Sequence, residues 1–159
     1  MTSKKDAWKP FFVLKSSAGS GKTYALVHHY LRLALMHPIA DYYQRILAIT
    51  FTNAAATEMK ERIMERLHEF AQPEALAGSV ELFNDLVFQL KISPQELQNR
   101  AITVRSHILH HYSQFSVSTI DSFVHRIIRS FARDLHIHPD FGIEMDTSRF
   151  LDEVVDTCL

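Results

Sequence analysis

Residues Gly19-Ser20-Gly21-Lys22-Thr23 bring two glycines, an amine and two hydroxyls into one short stretch. The glycines allow successive backbone N–H groups to turn inward and form an anion-binding nest. Lysine adds a point charge, and a threonine hydroxyl is a hard oxygen donor suited to Mg²⁺. The spacing follows G-x-x-x-x-G-K-S/T, with Ser16 at the first glycine. In this phosphate loop Ser17, Ala18, Gly19, Ser20, Gly21, Lys22 and Thr23 would surround the phosphates of a nucleotide. Lys22 would reach the β- and γ-phosphates, and the Thr23 hydroxyl would bind Mg²⁺. The competing interpretation is a glycine-rich strand-to-helix turn with an ordinary lysine. The loop alone does not choose among kinases, motors and GTPases, which share it.

The loop must be held by a strand before it and a helix after it. "FFVLK" at 11–15 reads as a buried strand. The apolar pattern from Lys22 to about Met36 predicts a well-buried helix stopped by Pro38. "RILAITFT" at 45–52 is nearly all apolar, as in a parallel strand covered on both faces. Asn53 then caps a helix to about Phe70, with Ala55, Met59, Ile63 and Leu67 on one face. Residues 72–91 are helical with a break near Gly78. Ser93-Pro94-Gln95-Glu96 is a capping-box pattern opening a helix to about Tyr112. "FSVST" at 115–119 is a third strand, and Asp121 caps a helix whose apolar face is Val124, Ile128, Phe131 and Leu135. "FGIEM" at 141–145 is a fourth strand, before a final helix capped within 146–148. The sum is an α/β fold: a P-loop, RecA-like parallel sheet flanked by helices, with a right-handed crossover.

Composition sets outer bounds. The 159 residues are 47 % hydrophobic and 22 % charged, as in an ordinary globular protein, with a net charge of −1. No segment is long and apolar enough to span a bilayer, and no signal peptide is recognisable. The single Cys158 suits a reducing cytoplasm. Ten histidines invite a metal site, but they lie in helical or loop segments without converging acids or cysteines and read as structural.

Two further segments choose the class. "ILAITFTNAAATEMKERI" at 46–63 resembles the motif Ia region of superfamily 1A DNA helicases of the UvrD/Rep group. "FSVSTIDSFVHRIIRSFA" at 115–132 is similar to the next motif of that family, in which T-x-H-S-F leads into an apolar helix. With the phosphate loop, three motifs stand in family order across residues 11–135. "TFTNAAATEM" and the helical stretch at 72–112 look most like the RecB and AddA exonuclease-helicase branch, as does "KKDAWKPFF", which lacks an upstream glutamine. Ala54 stands where many UvrD-type helicases carry lysine, and Asp121 where the family often has histidine. The resemblance implies domain 1A over 1–135, with an insertion at about 72–112, and the start of the inserted 1B subdomain over 136–159. It implies ATP and Mg²⁺ as cofactors, single-stranded or duplex DNA as partner, and a nuclease partner subunit.

The chemistry of these segments agrees. In a P-loop sheet the carboxyl ends of the strands form the functional edge. Thr50, Phe51, Thr52 and Asn53 end one strand, and Ser118 and Thr119 another. Hydroxyls and N–H groups there can hold phosphates, and an exposed aromatic can stack on a base. The resemblance gives Phe51 the stacking role and Thr119 a backbone phosphate; on residue type alone Phe51 reads first as an ordinary core side chain. Arg126, Arg129 and Arg133 form one basic stripe on the helix after Asp121, either tracking DNA or simply solvated.

A motor also needs an acid at a strand end. Asp152-Glu153 in "FLDEVVD" is not that acid: Leu151, Val154, Val155 and Cys158 mark a helical face with the acids opposite. The chain therefore reads as an incomplete domain, the N-terminal segment of an ATP-dependent helicase that is inactive alone. The alternatives are a non-catalytic nucleotide- and DNA-binding fragment and a small P-loop kinase, which would leave "TFTNAAATEM" unexplained.

Overall fold

The computed structural model describes residues 21–134 and 136, apart from 77 and 79. The expected strands at 11–15 and 141–145, loop residues 16–20 and the helix after Asp146 lie outside the described residues. Those described are mostly helical, with one two-stranded parallel sheet rather than the broad sheet expected. Its strands are β1 (Ala48–Thr50) and β2 (Val117–Thr119). Both are shorter than the apolar runs that signalled them. Tyr42–Arg45 coils into a 3-10 turn, with the Gln44 N–H donating to Asp41 O at 3.0 Å, which removes Arg45 from the strand. Tyr112–Gln114 forms a second such turn ahead of β2.

The chain divides into two compact units, Met1–Ala48 with Thr57–Val117, and Ile49–Ala56 with Ser118–Leu159; the division runs through β1, β2 and helix α2 (Asn53–Phe70). The first unit holds α1 (Lys22–Met36), most of α2, α3 (Pro73–Leu76), α4 (Glu81–Leu90) and α5 (Pro94–His110). Helix α1 ends because His37, preceding Pro38, is forced extended (φ −102°, ψ 147°). Its buried face is Val27, Tyr30, Leu31, Ala34 and Leu35. The opposing faces are Met59, Ile63 and Leu67 of α2, Leu82, Phe83 and Leu86 of α4, and Leu97, Ala101, Val104 and Ile108 of α5. Each fully buried leucine here contributes about 1.5–3 kcal/mol. Phe70 and Phe83 meet edge to face at 5.4 Å, and Phe115 packs against Tyr30 at 5.7 Å and Tyr43 at 6.4 Å. Ala56, not Ala55, heads the buried stripe of α2.

The helical stretch from 73 to 110 is broken where expected: Gly78 takes φ +79°, and Lys91 closes α4 in the left-handed region. Helix α5 opens on Ser93, whose Oγ accepts the Glu96 N–H at 3.1 Å, with Pro94 at the first helical position. Two side chains bind this segment to α1. Arg100 of α5 donates through Nη1 to Leu35 O at 3.0 Å and Met36 O at 2.9 Å, while its Nε donates to Glu96 Oε1 at 2.8 Å. His28 Nε2 lies 2.8 Å from Asp85 Oδ2 of α4, an oxygen that also accepts from Gln89 Nε2 at 2.8 Å.

The second unit contains the turn from β1 into α2, and α6 (Ile120–Ser130). Helix α6 stops at Ser130, so Arg133 lies in the following turn instead of on the helical stripe with Arg126 and Arg129. The expected apolar face does not form a core. No residue of α6 is buried, and Val124 and Phe131 stand 44 % and 54 % exposed.

Candidate functional site

Helix α1 begins at Gly21 in the left-handed conformation (φ 79°, ψ 16°). A Cβ at Gly21 would meet no atom within 4 Å, so the need for glycine is conformational rather than steric. The Ala25 N–H closes the first turn on Gly21 O at 2.9 Å. Gly21 has no side chain with which to cap the helix, and the first turn carries no acid. The N-terminus of a 15-residue helix carries partial positive charge from its first amides. Lys22, exposed, and Thr23, half-buried, are the first two residues of the helix. An amine, a hydroxyl and the N–H groups of a helix N-terminus are the donor set that phosphate and its divalent cation require, so these residues fit a bound nucleotide. Ser17, Ala18, Gly19 and Ser20 lie outside the described residues.

Further along α1 burial governs the titratable groups. Burial first, then Tyr43, raises the hydroxyl pKa of Tyr30 far above its ordinary value, so Tyr30 stays neutral. Burial, then Arg32 and His28, hold His29 below the usual imidazole range.

The second unit holds the other predicted residues: Thr50, Phe51, Thr52, Asn53 and Thr119. The chain leaves β1 at Thr50 and turns sharply before α2. Within that turn the Thr50 hydroxyl donates to Thr52 O at 3.1 Å, and Thr52 Oγ1 accepts the Ala55 N–H at 3.1 Å. Thr52 is therefore the cap of α2, and Asn53, expected to cap, is its first residue. Both residue types cap well; the end of the strand decides which one sits one step before the helix. Phe51, between two tied threonines, is 91 % exposed among the described residues.

Thr119 differs. It is 5 % exposed, and its hydroxyl accepts the Ser122 N–H at 3.2 Å while donating to Ser122 Oγ at 2.8 Å. Thr119, not Asp121, caps α6. Ser122, whose Oγ accepts the Thr119 hydroxyl, is exposed, and sequence reasoning missed it. The T-x-x-S spacing at 119–122 was the available signal. Among the described residues no group of three histidines, cysteines or acids could hold a metal. His107 is bonded to the Tyr43 hydroxyl at 3.1 Å and stacked on His111 at 4.3 Å. No helix of the described residues is long and apolar enough to cross a membrane.

Residues 5–158 match the family model described as UvrD/REP helicase N-terminal domain. The A subunit of the ATP-dependent helicase/nuclease of Bacillus cytotoxicus is 32 % identical over 162 residues, covering 97 % of this chain and 11 % of that protein. The protein of the same name from Lactobacillus gasseri is 34 % identical over 147 residues, covering 91 % of the chain and 10 % of its own length. That of Bacillus pumilus is 32 % identical over 148 residues, with 91 % and 10 % covered. The chain thus spans about a tenth of the length of these curated relatives. No solved structure matches it.

Proposed function

The chain belongs to the UvrD/REP helicase N-terminal domain family, and from that premise we propose that it is the ATP-binding N-terminal segment of an ATP-dependent DNA helicase or translocase acting in DNA repair or recombination. The observation that carries this reading is the start of α1: a left-handed Gly21, a first turn without an acid, and Lys22 and Thr23 as the first two residues. There the N–H groups of the loop through Gly21 hold phosphate oxygens, Lys22 faces the β- and γ-phosphates, and Thr23 offers its hydroxyl to Mg²⁺. When bound, Mg²⁺ supplies neutralising charge for the phosphates. Phe51 offers an exposed ring for a base of single-stranded DNA, and the turn of Thr50, Thr52 and Asn53 offers polar groups to its backbone. Thr119, with its hydroxyl in a cap, serves the strand by fixing Ser122 at the start of α6.

In this reading residues 1–135 are the N-terminal part of domain 1A, about 72–112 its helical insertion, and 136–159 the start of subdomain 1B. The relatives are named as the A subunit of a helicase/nuclease, which supports an assembly with a nuclease partner; lone Cys158 supports a cytoplasmic setting. A non-catalytic role fits the isolated 159-residue chain, which covers so little of its relatives. Alone it should bind nucleotide weakly and show no DNA-stimulated hydrolysis.

The test is phosphate release from Mg²⁺-ATP by the complete protein, with and without single-stranded DNA. Turnover that rises with DNA supports the reading. Phosphate transfer to a nucleoside, indifferent to DNA, would support a kinase instead.

A further inference from the structure

We propose that Arg100 is a positioning residue for nucleotide binding: from α5 it fixes the far end of the phosphate-loop helix and so sets where Lys22 and Thr23 stand. The proposal rests on the nucleotide reading of α1.

Helix α1 has no means of closing its own C-terminus. Its last turn carries no basic residue, no glycine follows it, and His37 is extended. Its final carbonyls are left to find donors elsewhere. Arg100 supplies them, with one nitrogen donating to both Leu35 O and Met36 O, 65 and 64 residues away in sequence. The guanidinium is itself aimed: Nε is held by Glu96, and the side chain is only 14 % exposed. A half-buried cation at the negative end of α1 also complements the helix dipole. Halfway along α1, the His28–Asp85 contact, with Asp85 further held by Gln89, ties the same helix to α4.

A helix of 15 residues is a stiff rod about 22 Å long. Sliding or rotating it at Met36 moves Lys22 by a similar amount. The two ties restrain both motions, one at the end and one at the middle. Their residues come from α4 and α5, outside the phosphate-loop motif, so the helical segment 73–110 contributes to the nucleotide site through α1.

The experiment measures the Kd of a fluorescent Mg²⁺-ATP analogue, together with Tm, for the complete protein and four variants, well below every Tm. Arg100→Ala should raise Kd by about tenfold, because displacing a reactive group by an ångström has large consequences. Arg100→Lys keeps the charge but not the forked donor, and should fall between Arg100→Ala and wild type. Gln98→Ala is the control for stability: it removes the bond from α5 to Gln72 O without touching α1, and should lower Tm while leaving Kd unchanged. An unchanged Kd in Arg100→Ala overturns the proposal, as does an equal rise in Gln98→Ala. Should Arg100→Ala fail to fold, an unchanged Kd in Arg100→Lys overturns it. The nucleotide reading is checked separately: if wild type does not bind, or Lys22→Ala binds as tightly, that reading fails and the inference falls with it.

Discussion

The first turn of α1 and the turn that follows β1 both display small polar residues at an element's end, yet they are supported differently. The α1 terminus belongs to a helix with five buried residues, packed against α4 and α5 and pinned by Arg100 and His28. The β1 turn is held by two threonine hydroxyls and leads to a fully displayed Phe51, in a unit whose helix α6 buries nothing. The start of a well-packed helix suits a small anion that needs several donors at fixed positions. A lone exposed ring on a short tied turn suits a planar partner recognised by one face. The contrast teaches that the polar residues here do different work. At α1 they open a packed helix, whereas around Phe51 two threonine hydroxyls also bond within the turn that carries the ring.

The contrast breaks most decisively at Lys22. Lys22→Ala in the complete protein should reduce ATP-driven unwinding to background, since the phosphate charge loses its partner. An unwinding assay at wild-type rate would remove the phosphate-loop assignment. Thr52 sharpens the other side. Thr52→Ala removes the α2 cap and should cost about 1 kcal/mol in chemical denaturation, while Thr52→Ser should restore it. If Thr52→Ser fails to restore stability, the cap is not what holds the turn. The smallest effect concerns His29 on α1. Its folded-state pKa is lowered, chiefly by burial, so the folded state binds fewer protons than the unfolded one below the ordinary value of 6.5. Stability is therefore fully present above pH 6.5 and declines as pH falls through the folded-state value. Tm profiles should show this slope in wild type and a flatter one in His29→Gln; identical profiles would remove His29 as the cause.

Legibility in the sequence follows the range of the interaction concerned. The bounds of α1 are legible because Gly21 and Pro38 punctuate it locally, and the start of α5 because Ser93 and Pro94 announce it. Neighbouring good cappers are not separable: Thr52 and Asn53, or Thr119 and Asp121, differ only in where the preceding strand ends. The apolar spacing of α6 runs on to Leu135 and overstates its length, since the helix closes at Phe131. The exposure of Phe51 is also hidden, because a phenylalanine at a strand end has the same composition whether it points in or out. Arg100 is the least visible. Its i,i+4 pairing with Glu96 is local, but the carbonyls it serves are those of a helix more than sixty residues earlier.

The most direct test of the account is the affinity of the complete protein for single-stranded DNA without nucleotide, in Phe51→Ala and Lys22→Ala, with Tm recorded for each. The account predicts that Phe51→Ala weakens DNA binding by about 1–3 kcal/mol at an almost unchanged Tm, while Lys22→Ala leaves DNA affinity intact. A Phe51→Ala protein that binds DNA as tightly as wild type would contradict it.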